Sequence, residues 1–427
     1  MSRPRARTPY ERLVTRLGRI LRLDGGRRKP GDSRQPLLSA PMLDQYVILV
    51  TTILLAGVGA LMSLSSSSVY AQSLNLGPYY FALRQLLFLA IGGVGALVAA
   101  RLGERLLRGF GWVAYCGAVL MLLLVFTPLG SDAGKGNRSW LALGPVTLQP
   151  SEFAKLAAIL VGSIYLAARR EDLGQFRHLA IYLGLYGVVI VMVVAQGDLG
   201  TALIIGAVLI AQMWAFGIRK RYIVGLLAAA GAVVAAAVVT TPYRMQRITL
   251  FLHPEADPEG SQQPLSAIYA LATGGWWGTG IGGSRQKWGG LYDGAQNDFV
   301  FAVLGEEMGL VGTLAVLALF TLLVWAGIRV AMRSRSQFRR ILAATITAWT
   351  AIQAMLNIGV AMKLLPVVGV PLPFISIGGS ALIANLVASG ILLSCARHEP
   401  AAEEYRDASR RSGPPRVTTV VDGGRRE

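Results

Sequence analysis

Charged residues are scarce in this sequence. Only 15% of the 427 residues are charged while 53% are apolar, and the aliphatic runs are too long and too frequent for a water-soluble core. The composition therefore excludes an ordinary soluble domain and indicates a chain that lies in a lipid bilayer.

Cysteine and histidine are also rare. Cys116 and Cys395 lie far apart, in or beside different apolar runs, so they form neither a disulfide framework nor a metal-binding set. His178, His253 and His398 are equally dispersed, which argues against a zinc site of ordinary spacing. The sequence also lacks a Walker loop and a Ser/His/Asp nucleophile elbow.

Apolar runs long enough to cross a bilayer, which takes roughly 20 helical residues, occur about ten times. They predict an all-α, polytopic membrane protein with one large extracytoplasmic loop. The predicted spans are Leu43–Leu64, Tyr80–Ala100, Phe110–Pro128, Glu152–Ala168, Leu179–Ala195, Leu199–Gly217, Tyr222–Thr241, Phe299–Ile328, Ile341–Leu364 and Pro373–Cys395. The first run follows an Arg-rich stretch and is too long for a signal-peptide core, so we expect it to remain as an anchor.

Composition divides the chain into three parts. Residues 1–42 are a basic tail, 43–395 a ten-helix membrane domain, and 396–427 a second tail. Both tails are rich in Arg, Gly, Pro and Asp and poor in apolar residues, which predicts disorder.

The basic residues are distributed unequally between the two faces of the predicted bundle. Of 41 Lys and Arg residues, 32 lie in the tails and in alternate loops on one face. The positive-inside rule makes that face cytoplasmic and places both termini there. The surplus is best explained by topology and by anionic lipid headgroups, and we expect no nucleic acid partner, although the Arg-rich first tail leaves a cytosolic partner open.

Nine basic residues violate this rule because they lie on or near the outer face. Outward cations at membrane level suit a ligand that carries phosphate, which Arg binds in a bidentate manner. These nine residues are Arg84, Lys135, Arg138, Lys155, Arg244, Arg247, Arg285, Lys287 and Lys363.

Acidic residues lie near the same level, where burial of a charge is costly unless it is paired. Glu152 and Lys155, one helical turn apart, are predicted at least as readily to form an internal ion pair as a functional site. Asp198 opens a span and can equally be a helix N-cap. Glu306 and Glu307 are adjacent and should point in different directions, so we expect only one to face an aqueous cavity.

The outer loop at 242–298 is unusually long and is rich in glycine and aromatic residues. Loops of this length are generally functional or disordered, and the aromatic content favours an ordered cover over an active site. Its GTGIGG run at 278–283 matches a dinucleotide-binding pattern but lacks the strand and βαβ unit that the pattern requires, so we reject it.

Five motifs, in a fixed order, resemble those of the SEDS family, the bacterial shape, elongation, division and sporulation proteins typified by FtsW and RodA. The motifs are SWLALGPVTLQPSEFAKLA (139–157), DLGTAL (198–203), YALATGGWWGTGIGGSRQKWG (269–289), NDFVFAVLGEEMGLVG (297–312) and LLPVVGVPLPFISIGGS (364–380). The resemblance spans about 43–400, and the 269–289 and 364–380 motifs look more like the division branch than the elongation branch.

The resemblance implies a ten-helix peptidoglycan glycosyltransferase in the bacterial cytoplasmic membrane. Its substrate is lipid II, an undecaprenyl-pyrophosphate-linked disaccharide pentapeptide, and its partners are a class B penicillin-binding protein, divisome proteins and membrane lipids. For a division-type member the place of action is the septum.

The family's essential aspartate matches Asp298, which follows the large loop. Glycosyl transfer needs a base for the attacking hydroxyl and cations for the departing pyrophosphate, and Asp298 at the loop-to-helix junction suits the first role. Its alternative role is a helix N-cap. The residues predicted to bind substrate are Arg138, Lys155, Arg244, Arg247, Lys363, Glu152, Asp293 and Glu306. No protein-bound metal is predicted, although a Mg²⁺ or Mn²⁺ ion shared by Asp298 and the pyrophosphate is compatible with this chemistry.

Where division-type members commonly read Leu-Pro-Glu-Ala-His-Thr-Asp, this chain has an eight-residue stretch, 291–298, in which Asp293 can replace the glutamate. Two other functions share the same sequence features, namely a transporter of lipid-linked precursors and a noncatalytic scaffold for the penicillin-binding protein. No inverted repeat is visible, which favours the enzyme over the transporter.

Overall fold

The computed structural model describes residues 42–132, 137–144, 146–169, 176–258, 260–291 and 294–404. Within these ranges ten helices are long and apolar enough to cross a membrane, as the sequence predicts. They are α1 Leu43–Ser73, α2 Tyr80–Ala99, α3 Glu104–Leu124, α4 Pro150–Ala168, α5 Phe176–Ala195, α6 Leu199–Phe216, α7 Lys220–Val239, α10 Val300–Arg333, α11 Gln337–Ala361 and α12 Gly379–Arg397.

Several predicted span ends are wrong, among them the end of α1, both ends of α3, the end of α10 and the starts of α11 and α12. Helix α1 continues to Ser73 because α10 packs beside it and gives its serines polar partners, as where Ser65 donates to Glu307 at 2.6 Å. Helix α12 begins at Gly379, not at Pro373, because Phe374 adopts a left-handed backbone with φ 66° that ends any helical continuation.

The long outer loop is folded, as its aromatic content predicts. It contains helices α8 Pro242–Leu252 and α9 Gln262–Thr273 and the 3₁₀ turns Pro254–Ala256 and Gln286–Trp288. A small antiparallel sheet, with strands β1 Gly130–Ser131, β2 Trp140–Leu143 and β3 Val146–Leu148, joins α3 to α4 at the same end of the bundle. We call this the loop end.

The bundle packs around α10, which lies against α1 and α11, while α12 packs on α2 and α3 on α4. Phe299 and Trp349 are fully buried in this core. Helix α7 differs, because none of its residues is buried and its contacts are chiefly with α6 and α8. Its apolar surface therefore faces lipid.

Helix α10 is interrupted at Gly309, where φ is 66° and ψ is −165°. The two carbonyls at 306–307 accept hydrogen bonds from the backbone of segment 274–280, and the two amides at 310–311 donate to it, at 2.8 to 3.2 Å. The loop segment thus satisfies the backbone groups that the break releases, which is what allows a broken helix within a membrane protein.

A charged cluster ties the two described chain ends together at the opposite end of the bundle. Asp44 binds Arg329 at 2.9 Å and Arg333 at 3.1 Å, and Arg333 lies 3.9 Å from Glu399. Burial and the nearby Asp44 raise the pKa of Glu399 to about 7, although the arginines oppose the shift. The predicted boundary at 396 therefore falls inside packed structure, whereas the predicted disorder of 1–41 and 405–427 concerns residues outside the described ranges.

Candidate active site

Asp298 lies half-buried at the junction between the outer loop and α10. The helix starts at Val300, and Phe299 occupies the N-cap position. Asp298 therefore precedes the cap by one residue.

The backbone at this junction is held by side chains from two other elements. Asn357 of α11 donates one amide hydrogen to the Asp298 carbonyl at 3.1 Å and the other to the Val370 carbonyl at 2.8 Å. Ser376 donates to the Asn297 carbonyl at 2.6 Å. Because Asn357 is 1% exposed, these bonds are shielded from water and fix the Asp298 backbone to the loop 366–376.

The same loop connects Asp298 to a predicted phosphate ligand. Gly369 has φ 77°, and a Cβ added there would lie 3.9 Å from Asp298 Oδ2. Two residues earlier, the Val367 carbonyl accepts a hydrogen bond from Arg247 Nη1 at 3.1 Å. The segment 367–369 thus lies near the Asp298 carboxylate at Gly369 and accepts a hydrogen bond from the Arg247 guanidinium at Val367.

Arg247 also lines a cavity of about 610 Å³ at the loop end, a volume typical of small-molecule sites. Helix α8, the start of α9, the turn at 288–290 and the segment 363–367 form its walls. Lys363 is the second cation of this lining, and the described lining residues include no carboxylate. The cavity therefore brings together two of the predicted phosphate ligands and favours an anion.

Lys363 has an unusual backbone for its residue type. Helix α11 ends in a Schellman motif, in which the amides of Lys363 and Leu364 bond to the carbonyls of Val360 and Gly359 at 3.0 and 2.8 Å. The motif places Lys363 at φ 53°, where glycine is preferred and an L side chain costs about 1 kcal/mol. Locally disfavoured residues of this kind often have a functional role.

Glu152 and Lys155 form an internal ion pair, one of the two predicted alternatives. Lys155 Nζ lies 2.9 Å from Glu152 Oε1 and donates to Gln353 Oε1 at 3.3 Å, and both charged side chains are 1% exposed. Trp349 donates to the same Gln353 oxygen at 2.7 Å, while the Gln353 amide donates to the Pro371 carbonyl at 2.9 Å. The pair thus supports the loop 366–376 from below.

Glu306 is also buried, and it organises the outer loop. Its carboxylate accepts from the Ser284 hydroxyl and from the Arg285 amide at 3.0 Å. The expectation that only one of Glu306 and Glu307 faces an aqueous cavity is wrong, because each is 1% exposed. Both carboxylates bind the segment 284–287.

Glu307 forms the second buried ion pair of this region. It lies 2.8 Å from Lys287 Nζ and accepts from Ser65 of α1 at 2.6 Å. Lys287 in turn donates to Ser65 Oγ at 2.9 Å. The 3₁₀ turn Gln286–Trp288 is thereby fixed to both α1 and α10.

Arg138, Arg244 and Asp198 are not among the residues that line the cavity. Arg138 donates to the Thr127 carbonyl at 2.7 Å beside the small sheet, and Arg244 donates to the Ala237 carbonyl at 3.3 Å. Asp198 caps α6 by accepting from the Thr201 amide at 2.9 Å, which confirms the cap alternative. Asp293 lies outside the described residues.

No group of three or more His, Cys, Asp and Glu side chains within the described ranges is arranged to hold a metal ion. A divalent cation would therefore need oxygen ligands from a bound substrate as well as from Asp298.

Sequence reasoning did not identify the amide side chains that support the site. Asn357 and Gln353 are four residues apart on one face of an apolar helix, and polar residues inside a span are rarely without a role. That spacing could have identified Gln353 and Asn357 from the sequence. The contribution of Trp288 to the cavity had no signal of its own, because exposed aromatic residues are common at membrane interfaces.

The fold and the site define a polytopic membrane protein whose loop end holds a cation-lined cavity, and the loop 366–376 connects this cavity to Asp298, which is not one of the described lining residues. The chain belongs to the FtsW, RodA and SpoVE family of cell cycle proteins, whose model matches residues 45–401.

Similar proteins include a probable peptidoglycan glycosyltransferase FtsW of Mycobacterium tuberculosis, 38% identical over 86% of this chain and 70% of the relative. Stage V sporulation protein E of Bacillus subtilis is 36% identical over 82% of this chain and 96% of its own length. Among solved structures, a chain of a peptidoglycan synthase complex that coordinates polymerization and crosslinking superposes with a TM-score of 0.68 at 27% identity, covering 82% of this chain and 97% of that one. The rod shape determining protein RodA of Thermus thermophilus superposes with a TM-score of 0.61 at 25% identity, covering 85% and 99%.

Proposed function

We propose that this protein is a peptidoglycan glycosyltransferase that polymerises lipid II at the outer face of the cytoplasmic membrane. The observation that carries the proposal is the single loop, 366–376, that joins a half-buried carboxylate to a cation-lined cavity at the loop end. Relatives named as peptidoglycan glycosyltransferases over most of the chain support the same activity.

Asp298 is the general base of the proposed reaction. It accepts the proton of the attacking sugar hydroxyl while the new glycosidic bond forms at the anomeric carbon and the bond to the pyrophosphate breaks. Arg247 and Lys363 stabilise the negative charge that develops on the departing pyrophosphate, which is where preorganised cations lower the barrier. Asp298 and the oxygens of the substrate would hold a Mg²⁺ or Mn²⁺ ion, which would supply further stabilisation of the negative charge on the leaving group.

The division process is the proposed context, because several relatives carry the FtsW name. We propose action at the septum with a class B penicillin-binding protein and other divisome proteins, and a peptidoglycan synthase complex of similar fold supports the pairing. In this arrangement the loop end faces outward and both termini are cytoplasmic, as the distribution of Lys and Arg requires.

The test is polymerisation of lipid II by the purified full chain with its penicillin-binding partner. We expect Asp298→Asn to reduce glycan synthesis by about a hundredfold or more, while the thermal unfolding temperature stays unchanged. Glu404→Gln is the control, because Glu404 is an exposed carboxylate beyond α12, at the opposite end of the bundle. Transport of lipid II across vesicles without polymerisation, unaffected by Asp298→Asn, would overturn the proposal.

A further inference from the structure

The cavity at the loop end has a second wall that the pyrophosphate does not use. Besides the two cations, Trp288, Gln262 and Gln263 line it. These three residues carry no charge, and the aromatic face of Trp288 and the amide acceptor oxygens of the two glutamines have no counterpart on a phosphate group, which offers neither an apolar surface nor donors when ionised. Their chemistry calls for a different part of the ligand.

The Trp288 ring is exposed on a rigid turn. The side chain is 62% exposed, although its neighbour Lys287 is 2% exposed and is bound to Glu307 and Ser65. Gly290 allows the turn to pass directly over α9, since any side chain there would collide with Ser266. The backbone that carries Trp288 is therefore held in place, so little backbone entropy is lost when a ligand binds to the exposed ring.

Gln262 and Gln263 supply hydrogen-bonding capacity next to this ring. Each amide offers two donors and one acceptor oxygen, and neither amide hydrogen-bonds to another described residue. Gln246, on the facing helix, is already engaged by Asp257 at 3.2 Å. The side-chain amides of Gln262 and Gln263 are therefore available to hydrogen-bond to a neutral polar ligand.

A flat aromatic surface beside unoccupied amides is the combination that binds a sugar ring. The C–H face of the ring packs on the aromatic side chain, and hydroxyl and acetamido groups exchange hydrogen bonds with the amides. We infer that Trp288, Gln262 and Gln263 form a carbohydrate subsite for an N-acetylated amino sugar, adjacent to the pyrophosphate at Arg247 and Lys363. This inference rests on the proposed function for the identity of the whole substrate.

The probe is N,N′-diacetylchitobiose, a neutral disaccharide that carries neither phosphate nor lipid. Its binding to the purified full chain is measured by saturation-transfer NMR and by titration calorimetry. We expect Trp288→Ala to weaken binding by about tenfold, with a similar or smaller loss for Gln263→Ala. Trp276→Ala is the matched control, since Trp276 is 69% exposed but outside the cavity lining, and it should bind like the parent chain.

Lys363→Gly distinguishes the contribution of the cations from that of Trp288 and the two glutamines. It should leave binding of the neutral disaccharide unchanged and raise the KM for lipid II, whereas Trp288→Ala should affect both. Equal disaccharide binding by the parent chain and Trp288→Ala would overturn the subsite, and an unchanged KM for lipid II in Trp288→Ala during active polymerisation would do so as well. Disaccharide binding that depends on Trp288 in a protein that makes no glycan would instead overturn the proposed function and leave the subsite standing.

Discussion

Two pairs of cations at the loop end look alike in the sequence and differ in the structure. Lys155 and Lys287 are 1% and 2% exposed, and each is held within 3 Å of a buried glutamate. Arg247 and Lys363 instead line a cavity that admits a ligand. The difference teaches that a cation violating the positive-inside rule has two explanations, since it either locks helices and loops together in a buried ion pair or lies in the wall of a cavity that a ligand can reach.

The largest effect on stability should come from breaking the buried ion pair of Lys155 with Glu152. Lys155→Met leaves Glu152 buried without its cation, and loss of one partner of a buried ion pair costs about 3 to 5 kcal/mol. We therefore expect a strongly lowered thermal unfolding temperature in detergent. The double variant Glu152→Gln with Lys155→Met should recover most of the loss, whereas a stable single variant that only fails to bind lipid II would place Lys155 among the ligand-binding cations.

Lys363→Gly tests the cations that line the cavity, and here we expect activity to fall while stability is kept. Glycine is favoured at φ 53°, so the variant should be as stable as the parent chain or more stable by up to about 1 kcal/mol. Loss of the cation should nevertheless lower kcat/KM for lipid II by about ten- to a hundredfold. Reduced stability together with full activity would assign Lys363 a structural role like that of Lys155.

Asn357→Leu tests whether the support beneath the open site matters for the reaction. Removing its two hydrogen bonds frees the Asp298 backbone from the loop 366–376, and we expect a fall in kcat of about tenfold with little change in KM. Asn385→Leu is the matched control, because Asn385 is equally buried and bonds only within its own helix. An equal loss of kcat in both variants would show a general packing effect.

Glu399→Gln extends the comparison to the buried charges at the other end of the bundle. A carboxyl whose pKa is raised to about 7 in the folded chain stabilises the fold at low pH, and this stability is lost as the pH rises through about 7. Glu399→Gln should therefore raise the unfolding temperature at pH 8 by a few degrees and leave it unchanged near pH 4. A variant that is less stable at pH 8 would show that the ion pair with Arg333 outweighs the burial of Glu399.

The sequence predicted what depends on local composition. Ten spans follow from apolar run length, and the ordered outer loop follows from its aromatic residues. The sequence could not predict which charged side chains form buried pairs, because their partners are distant in the chain. Lys287 donates a hydrogen bond to Ser65, which is 222 residues away in the chain. Lys155 donates one to Gln353, which is 198 residues away.

Boundaries failed for a different reason. Hydropathy detects where a lipid-compatible surface ends, whereas a helix ends where its backbone changes direction. Helix α1 outlasts its apolar run because α10 packs beside it, and α12 starts late because the backbone turns at Phe374. Neither cause is visible in a window of hydropathy.

The break in α10 at Gly309 has a consequence for how the chain is assembled. The segment that fills the break, 274–280, precedes α10 in the chain, so it is synthesised before the helix on which it docks. Insertion of α10 and docking of the loop then become one event. A chain that inserts its ten helices correctly but does not dock this segment would have every span in place and unpaired backbone groups at the break in α10.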